Sequence, residues 1–267
     1  MDIHASSQNE LAGDFRRVTR GAVGLVEADD MQVQAVKAYF GSVTNYLDRN
    51  TSIAVRVTLI NEMLKHISFT SYAELGCGDG AIALSLLNVN RALVLVDFSH
   101  QMMAKAKENT PLPLRDNVEY MIGDIAALDP RLKFDLIICV GVAAHVQSVE
   151  QLLSKLSALV SDEGHLVFQF TDSRSLLGWL MSKLPHQHGY QLTKTSHASL
   201  LPSFERGNFR VVKSLTYSDS AFGCSKLSVQ LAYRLKLFTA RLNIPSLFSE
   251  KLLLLRRVRK EPRRQIG

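Results

Sequence analysis

The run Glu74-Leu-Gly-Cys-Gly-Asp-Gly80 constrains this chain more than any other stretch. It comes after the short apolar segment Tyr72-Ala73 and opens the helical pattern Ala81 to Leu87. Strand, glycine turn and helix in that order are how a doubly wound sheet brings its main chain up to a nucleotide-like ligand. Gly76, Gly78 and Gly80 let the turn be tight and let a ligand approach the backbone. A pyrophosphate would occupy the positive end of the helix. Here Asp79 stands before the last glycine and Glu74 precedes the turn. Two carboxylates repel a pyrophosphate and suit a cationic ligand.

A lone Gly-x-Gly-x-Gly run is a weak signal, and its meaning depends on the strands downstream of it. Arg91 to Asp97 is an apolar run ending in a carboxylate. An acid about 20 residues past the first glycine, at a strand end, can accept both ribose hydroxyls. Asp97 is therefore a ribose ligand or, alternatively, an exposed cap for the helical stretch Gln101 to Asn109 just beyond Ser99. Asn117 to Ile125 reads as a third strand ending in Gly-Asp124, and Phe134 to Gly141 as a fourth. The near-continuous apolar run of the fourth fits a parallel strand covered on both faces. Gly164 to Phe170 is a fifth strand, preceded by the turn Ser161-Asp-Glu-Gly. Strands alternating with helical segments from 71 to 170 describe a parallel sheet with crossover helices.

These four ordered motifs resemble those of the class I S-adenosylmethionine-dependent methyltransferases of small-molecule type, over the block from about 71 to 170. The resemblance implies an α/β, Rossmann-like, doubly wound seven-stranded sheet with an antiparallel seventh strand. It implies S-adenosyl-L-methionine as cofactor and S-adenosyl-L-homocysteine as product. The implied cofactor residues are Glu74, Gly76, Gly78, Asp97, Phe98, Met102, Asp124, Ile125 and Val140. Phe98 would line the adenine pocket, and Asp124 would accept from the exocyclic amine. Asp124 could instead cap a short helix over Ile125 to Leu128. The segment just past the fourth strand would face the methionine part and its methyl group.

The flanks carry less information. Residues 1–30 are polar and glycine-containing without periodicity; 31–240 form the expected domain; 241–267 form a basic amphipathic tail. Val33, Val36, Tyr39-Phe40, Val43 and Tyr46-Leu47 recur at helical spacing, as do Ile53, Val57, Ile60, Met63 and Leu64. Two such helices would cover the cleft, with Tyr39 and Tyr46 either bonding the cofactor carboxylate or forming an ordinary core stripe. An insertion over 171–208 holds the helix candidate Ser175 to Leu184, the single tryptophan Trp179, and His186, His188 and His197. It reads as a substrate lid, a packed surface helix or a homodimer contact. Phe209 to Tyr217 is the expected sixth strand. Ser225 to Leu235, alternating polar and apolar, is the expected antiparallel seventh.

A chain of 267 residues with 46% hydrophobic content can bury one large core. No apolar stretch reaches the ~18 residues of a bilayer span, and the N-terminus lacks the order of a signal peptide. Cys77, Cys139 and Cys224 form neither a disulfide framework nor a zinc spacing, which points to the cytoplasm. Much of the formal net charge of +6 falls in the arginine-rich tail, Ser246 to Arg264. That tail reads as a packed helix with a solvated basic end, or as a contact for an anionic membrane or an acidic substrate. No aromatic-basic interleaving suggests nucleic acid.

His145, just past the fourth strand, is the best-placed general base, or else a residue shaping the cofactor pocket. Relatives that use a divalent metal place carboxylates at this point, where this chain has Val142, Ala143 and Ala144; no metal is expected. An Asn/Asp-Pro-Pro-Tyr motif after the fourth strand is absent, which disfavours adenine or glutamine amide methylation. The expected activity is methyl transfer to oxygen or nitrogen of a natural-product, glycan or lipid-linked intermediate. The alternatives are a C-methyltransferase or a non-catalytic partner that keeps the fold.

Overall fold

The computed structural model describes residues 51–181, 183, 192–219 and 228–259. Tyr39, Tyr46, His186, His188 and Cys224, the helix expected over 31–47 and the polar segment 1–30 lie outside them. Seven strands form one sheet in the order β3-β2-β1-β4-β5-β7-β6. They are β1 (Ser71–Leu75), β2 (Ala92–Asp97), β3 (Val118–Ile122), β4 (Phe134–Cys139), β5 (Val160–Thr171), β6 (Phe209–Tyr217) and β7 (Glu250–Arg257). The first five run parallel, and β7 is antiparallel to both β5 and β6. The expected doubly wound, seven-stranded α/β fold is the observed one.

Alternate residues of each strand feed two separate cores, as the period of two in a pleated strand requires. Ala73, Leu75, Val96, Ile137, Phe168 and Leu253 pack with helix α4 (Val149–Leu159) and helix α6 (His197–Arg206). Tyr72, Leu95, Ile138, Val167, Leu252 and Leu254 pack on the other side with α1 (Thr51–Leu64), the short α2 (Ala81–Leu84), α3 (His100–Asn109) and α7 (Val229–Leu242). Asp135, the one polar residue of β4, accepts from Thr70 N (2.9 Å) and Ser71 N (3.0 Å) and ties the entry of β1 to β4.

Two expectations are corrected. The seventh strand expected over Ser225 to Leu235 is, in its described residues, helix α7 from Val229, capped by the Ser228 hydroxyl and ended by left-handed Asn243. The segment read as a basic tail instead supplies β7, whose Leu252–Leu255 are fully buried. The reason lies in where β7 sits. An interior strand is covered on both faces and needs a continuous apolar run, whereas polar–apolar alternation suits a strand with one wet face. In 229–242 the leucines, alanines and basic residues favour a helix instead, and Ala232, Lys236 and Ala240 form its buried edge. The arginines beyond the leucines lie at the strand's end. Arg256 meets Glu163 at 3.2 Å, and Arg257 lies 4.0 Å from Asp162. Both acids belong to the stretch expected as a turn before the fifth strand, which is an irregularity within β5, with Glu163 at positive φ.

The insertion after β5 holds α5 (Leu176–Met181) and α6. Thr193 N donates to Ala144 O at 3.0 Å and the Thr193 hydroxyl to Val146 O, which straps the returning chain to the loop that carries His145. Among the described residues, no helix is long and apolar enough to cross a membrane.

Candidate active site

The strand order reverses between β1 and β4, and a cleft of about 400 Å³ opens there beyond the C-terminal ends of the strands. This is where open α/β sheets hold ligands, and the volume lies in the roughly 300–1,000 Å³ range of small-molecule sites. Ten of the twelve residues singled out from the sequence line it: Glu74, Gly76, Gly78, Asp97, Phe98, Met102, Asp124, Ile125, Val140 and His145. The remaining two, Tyr39 and Tyr46, lie outside the described residues.

The glycine turn is built by backbone geometry that other residues resist. Gly76, Gly78 and Gly80 have φ of 74°, 54° and 76°. A Cβ on Gly76 would stand 2.3 Å from Val142 Cγ2, whereas one on Gly78 would meet nothing within 4 Å. The glycine at 78 thus leaves open space in the cleft, and the one at 76 lets the loop after β4 close against the turn.

Asp97 is not an exposed cap. It is buried, and its two carboxylate oxygens accept from Gly78 N and Ser99 N, each at 2.8 Å. The end of β2 is thereby fixed to the glycine turn. Capping of α3 falls to Ser99, whose hydroxyl accepts from Met102 N. Burial pushes the Asp97 carboxyl above its usual range, against the pull of backbone N–H groups of Ser99, Gly78 and Phe98. An ionised carboxylate offers about four acceptor positions, so capacity remains for ligand hydroxyls.

Asp124 does cap the short 3-10 turn Ile125–Ala127, accepting from Ala126 N at 2.8 Å, and it lines the cleft as well. Phe98, Met102 and Ile125 give this end of the cleft an apolar lining. Glu74 behaves differently from a free carboxylate. It is almost fully buried, accepts from Ala83 N at 2.9 Å, and is pushed up to about 8 by burial, with Asp79 and Asp97 adding to the rise. It holds the start of α2 against β1, and it is mostly protonated at neutral pH unless a cation enters.

Several lining residues were not anticipated. Arg56 of α1 lies beside Gly141, where an added Cβ would stand 3.5 Å from Nη1. The sequence signal was a single arginine between Val55 and Val57 in an apolar helix just before β1. Ser148, Gln151 and Lys155 reach the cleft from one face of α4, at helical spacing. His145 sits on a turn closed by its own N–H to Val142 O at 2.9 Å. Among the described residues, none from the 171–208 insertion lines the cleft.

A seven-stranded sheet of this order, with a glycine turn after β1 and acids at the end of β2 and just past β3, has the class I methyltransferase architecture. Residues 73–166 match the family model described as a methyltransferase domain. That part of the chain thus resembles a methyltransferase domain, set on a sheet with the class I methyltransferase fold. It is 29% identical over 117 residues to the mitochondrial ubiquinone biosynthesis O-methyltransferase of Schizosaccharomyces pombe, covering 43% of this chain and 42% of that protein. Over 136 residues it is 29% identical to the magnesium-protoporphyrin O-methyltransferase of Rhodobacter capsulatus, covering 51% and 56%. The chain spans about half the length of the curated relatives it matches. In fold it is similar to the N-methyltransferase NodS of Bradyrhizobium japonicum in complex with S-adenosyl-l-homocysteine, with a TM-score of 0.57 at 15% identity over 85% of this chain and 99% of that one.

Proposed function

We propose that this chain binds S-adenosylmethionine in the cleft and transfers its methyl group to an oxygen of a small molecule. The observation that carries this is the order of groups along the strand ends. From β3 to β4 run Asp124, Asp97, the glycine turn and Arg56. A ligand with its base over the apolar end and its ribose on Asp97 lays its amino-acid end across Gly76 and Gly78 towards Arg56. The open space at Gly78 and the acceptor capacity of Asp97 fit the cofactor. Arg56 is the cation for a carboxylate, and the acids suit positive charge on the ligand.

When bound, S-adenosylmethionine supplies an electrophilic methyl group on a sulfonium that is its own leaving group. The chain itself adds alignment and a place for the acceptor's proton. His145 borders the cleft on the β4 side and is the group that takes a hydroxyl proton. The choice of oxygen rests on the relatives, which are named O-methyltransferases of ubiquinone biosynthesis, magnesium-protoporphyrin and malonyl-[acyl-carrier protein].

Calorimetric titration with S-adenosylhomocysteine tests the cofactor half of this reading. Wild type should bind, and Asp97→Ala should weaken binding at least about tenfold, as expected for lost hydrogen bonds to a charged group. Circular dichroism checks that the variant folds. Labelled methyl transfer to hydroxyl-bearing metabolites in cell extracts tests the chemical half. No binding by wild type defeats the first half; binding without any transfer defeats the second.

A further inference from the structure

Arg56 does not hang freely into the cleft. Its Nε donates to the Tyr217 hydroxyl at 3.5 Å, and its Nη2 meets Asp219 Oδ2 at 3.3 Å. Asp219 Oδ1 in turn accepts from Lys236 Nζ at 2.9 Å, and Lys236 donates to the Ser52 hydroxyl at 2.7 Å. The chain of contacts runs from α1 to the end of β6, on to α7, and back to the first turn of α1. Tyr217 and Lys236 are buried, and the Asp219 side chain is 24% exposed. Among the described residues, Nη1 is the guanidinium nitrogen left without a hydrogen bond, and it lies over Gly141 at the cleft wall.

A free arginine side chain samples many rotamers, and a planar guanidinium fixed at two nitrogens has surrendered that freedom before a ligand arrives. A single carboxylate between the half-buried Arg56 and the buried Lys236 also keeps the two cations from repelling each other. Burial works against the Asp219 carboxylate, yet Arg56, Ser52 and Lys236 hold it below its usual range. Asp219 thus stays ionised where it is needed.

We propose that Asp219 and Tyr217, braced by Lys236, are positioning residues that fix Arg56 on the cleft wall to receive the carboxylate of the cofactor's amino-acid end. This rests on the cofactor reading above. It makes a claim about ligand class: the network serves a ligand with an amino-acid tail and is indifferent to one without it.

Two probes separate these cases. S-adenosylhomocysteine carries the amino-acid tail, and 5′-methylthioadenosine shares the thioether nucleoside without it. In the full-length protein, Asp219→Asn should weaken S-adenosylhomocysteine about tenfold and 5′-methylthioadenosine less than twofold. Tyr217→Phe, which keeps the buried ring, should show the same selectivity with a smaller loss, and Arg56→Met a loss at least as large as Asp219→Asn. Equal weakening of both ligands would mean that Asp219 merely supports the fold, and the inference is overturned. Unchanged binding of both ligands in Asp219→Asn or Arg56→Met overturns it as well. If wild type binds neither probe, the cofactor reading itself fails; if it binds both and only the selectivity is missing, that reading stands and this one falls.

Discussion

Glu74→Gln isolates the electrostatics of the glycine turn. Glu74 is buried, its carboxyl is raised from an ordinary 4.5 to about 8, and burial is the largest cause. Below about pH 4.5 folded and unfolded chains both hold the proton, and nothing is lost. Between 4.5 and 8 the folded chain keeps a proton that the unfolded chain has released, so stability falls as pH rises. The slope approaches about 1.4 kcal/mol per pH unit, or roughly 3 kcal/mol lost by pH 7. Above about 8 both states are ionised and the loss levels off. Glutamine has the same shape, still accepts from Ala83 N–H, and does not titrate. Its extra N–H donors add an offset, but one that is the same at every pH. The stability of Glu74→Gln minus that of wild type should therefore climb between pH 5 and 8 and then flatten. Urea denaturation monitored by circular dichroism at half-unit pH steps measures it. A flat difference over that interval would falsify the claim that burial keeps Glu74 protonated.

The same shift links to binding. A cationic ligand in the cleft favours the ionised form of Glu74, so S-adenosylmethionine should expel close to one proton from wild type at pH 7. Titrations in two buffers of different ionisation enthalpy report that proton, and Glu74→Gln should release correspondingly less; equal release from the two proteins would place the proton on another group. The two glycines of the turn should respond differently to alanine. Gly78→Ala meets no atom within 4 Å but holds a left-handed φ, so stability drops roughly 1–2 kcal/mol while the methyl group intrudes on ligand space and S-adenosylhomocysteine affinity falls at least about tenfold. Gly76→Ala adds a collision with Val142 to the same backbone strain, for roughly 2–5 kcal/mol by chemical denaturation; a smaller loss there than at Gly78 would contradict the geometry. His145→Gln should lower kcat on a hydroxyl acceptor by about 10²–10⁴. S-adenosylhomocysteine affinity should stay within twofold, and a loss confined to binding would make His145 a wall of the pocket instead of a base.

The features legible in the sequence were those that neighbouring residues decide together. The glycine turn, the carboxylate ending β2 and the apolar run of β4 are each local signals, and the sheet gathers them because parallel strands end at one edge. Two kinds of information stayed hidden. The first was the identity of β7. Leu252–Leu255 with arginines directly after them look like an amphipathic tail until one knows that the strand lies between β5 and β6 and is covered on both faces. The second was the Arg56 network, whose partners lie more than 160 residues apart in the chain. No periodicity encodes such a contact. It arises only when α1, β6 and α7 pack on the same face of the sheet.

The crevice owes its shape to a pair of residues that have no side chains. The turn after β1 and the loop after β4 part where the strand order reverses, and each begins with a left-handed glycine, Gly76 at φ 74° and Gly141 at φ 76°. The space vacated at Gly76 is taken by Val142, and Arg56 lies over Gly141. An apolar group and a cation from neighbouring elements thus replace what β1 and β4 omit. The resulting charge runs from acids beside β3 and β2 to a fixed cation beside β4. A pyrophosphate is poorly served by this gradient, because Asp79 and Asp97 stand beside the turn where it would rest. A nucleoside with a cationic centre and a terminal carboxylate matches the gradient along its whole length. Cofactor choice therefore depends on the direction of the charge gradient more than on the glycine turn, which both kinds of ligand can use.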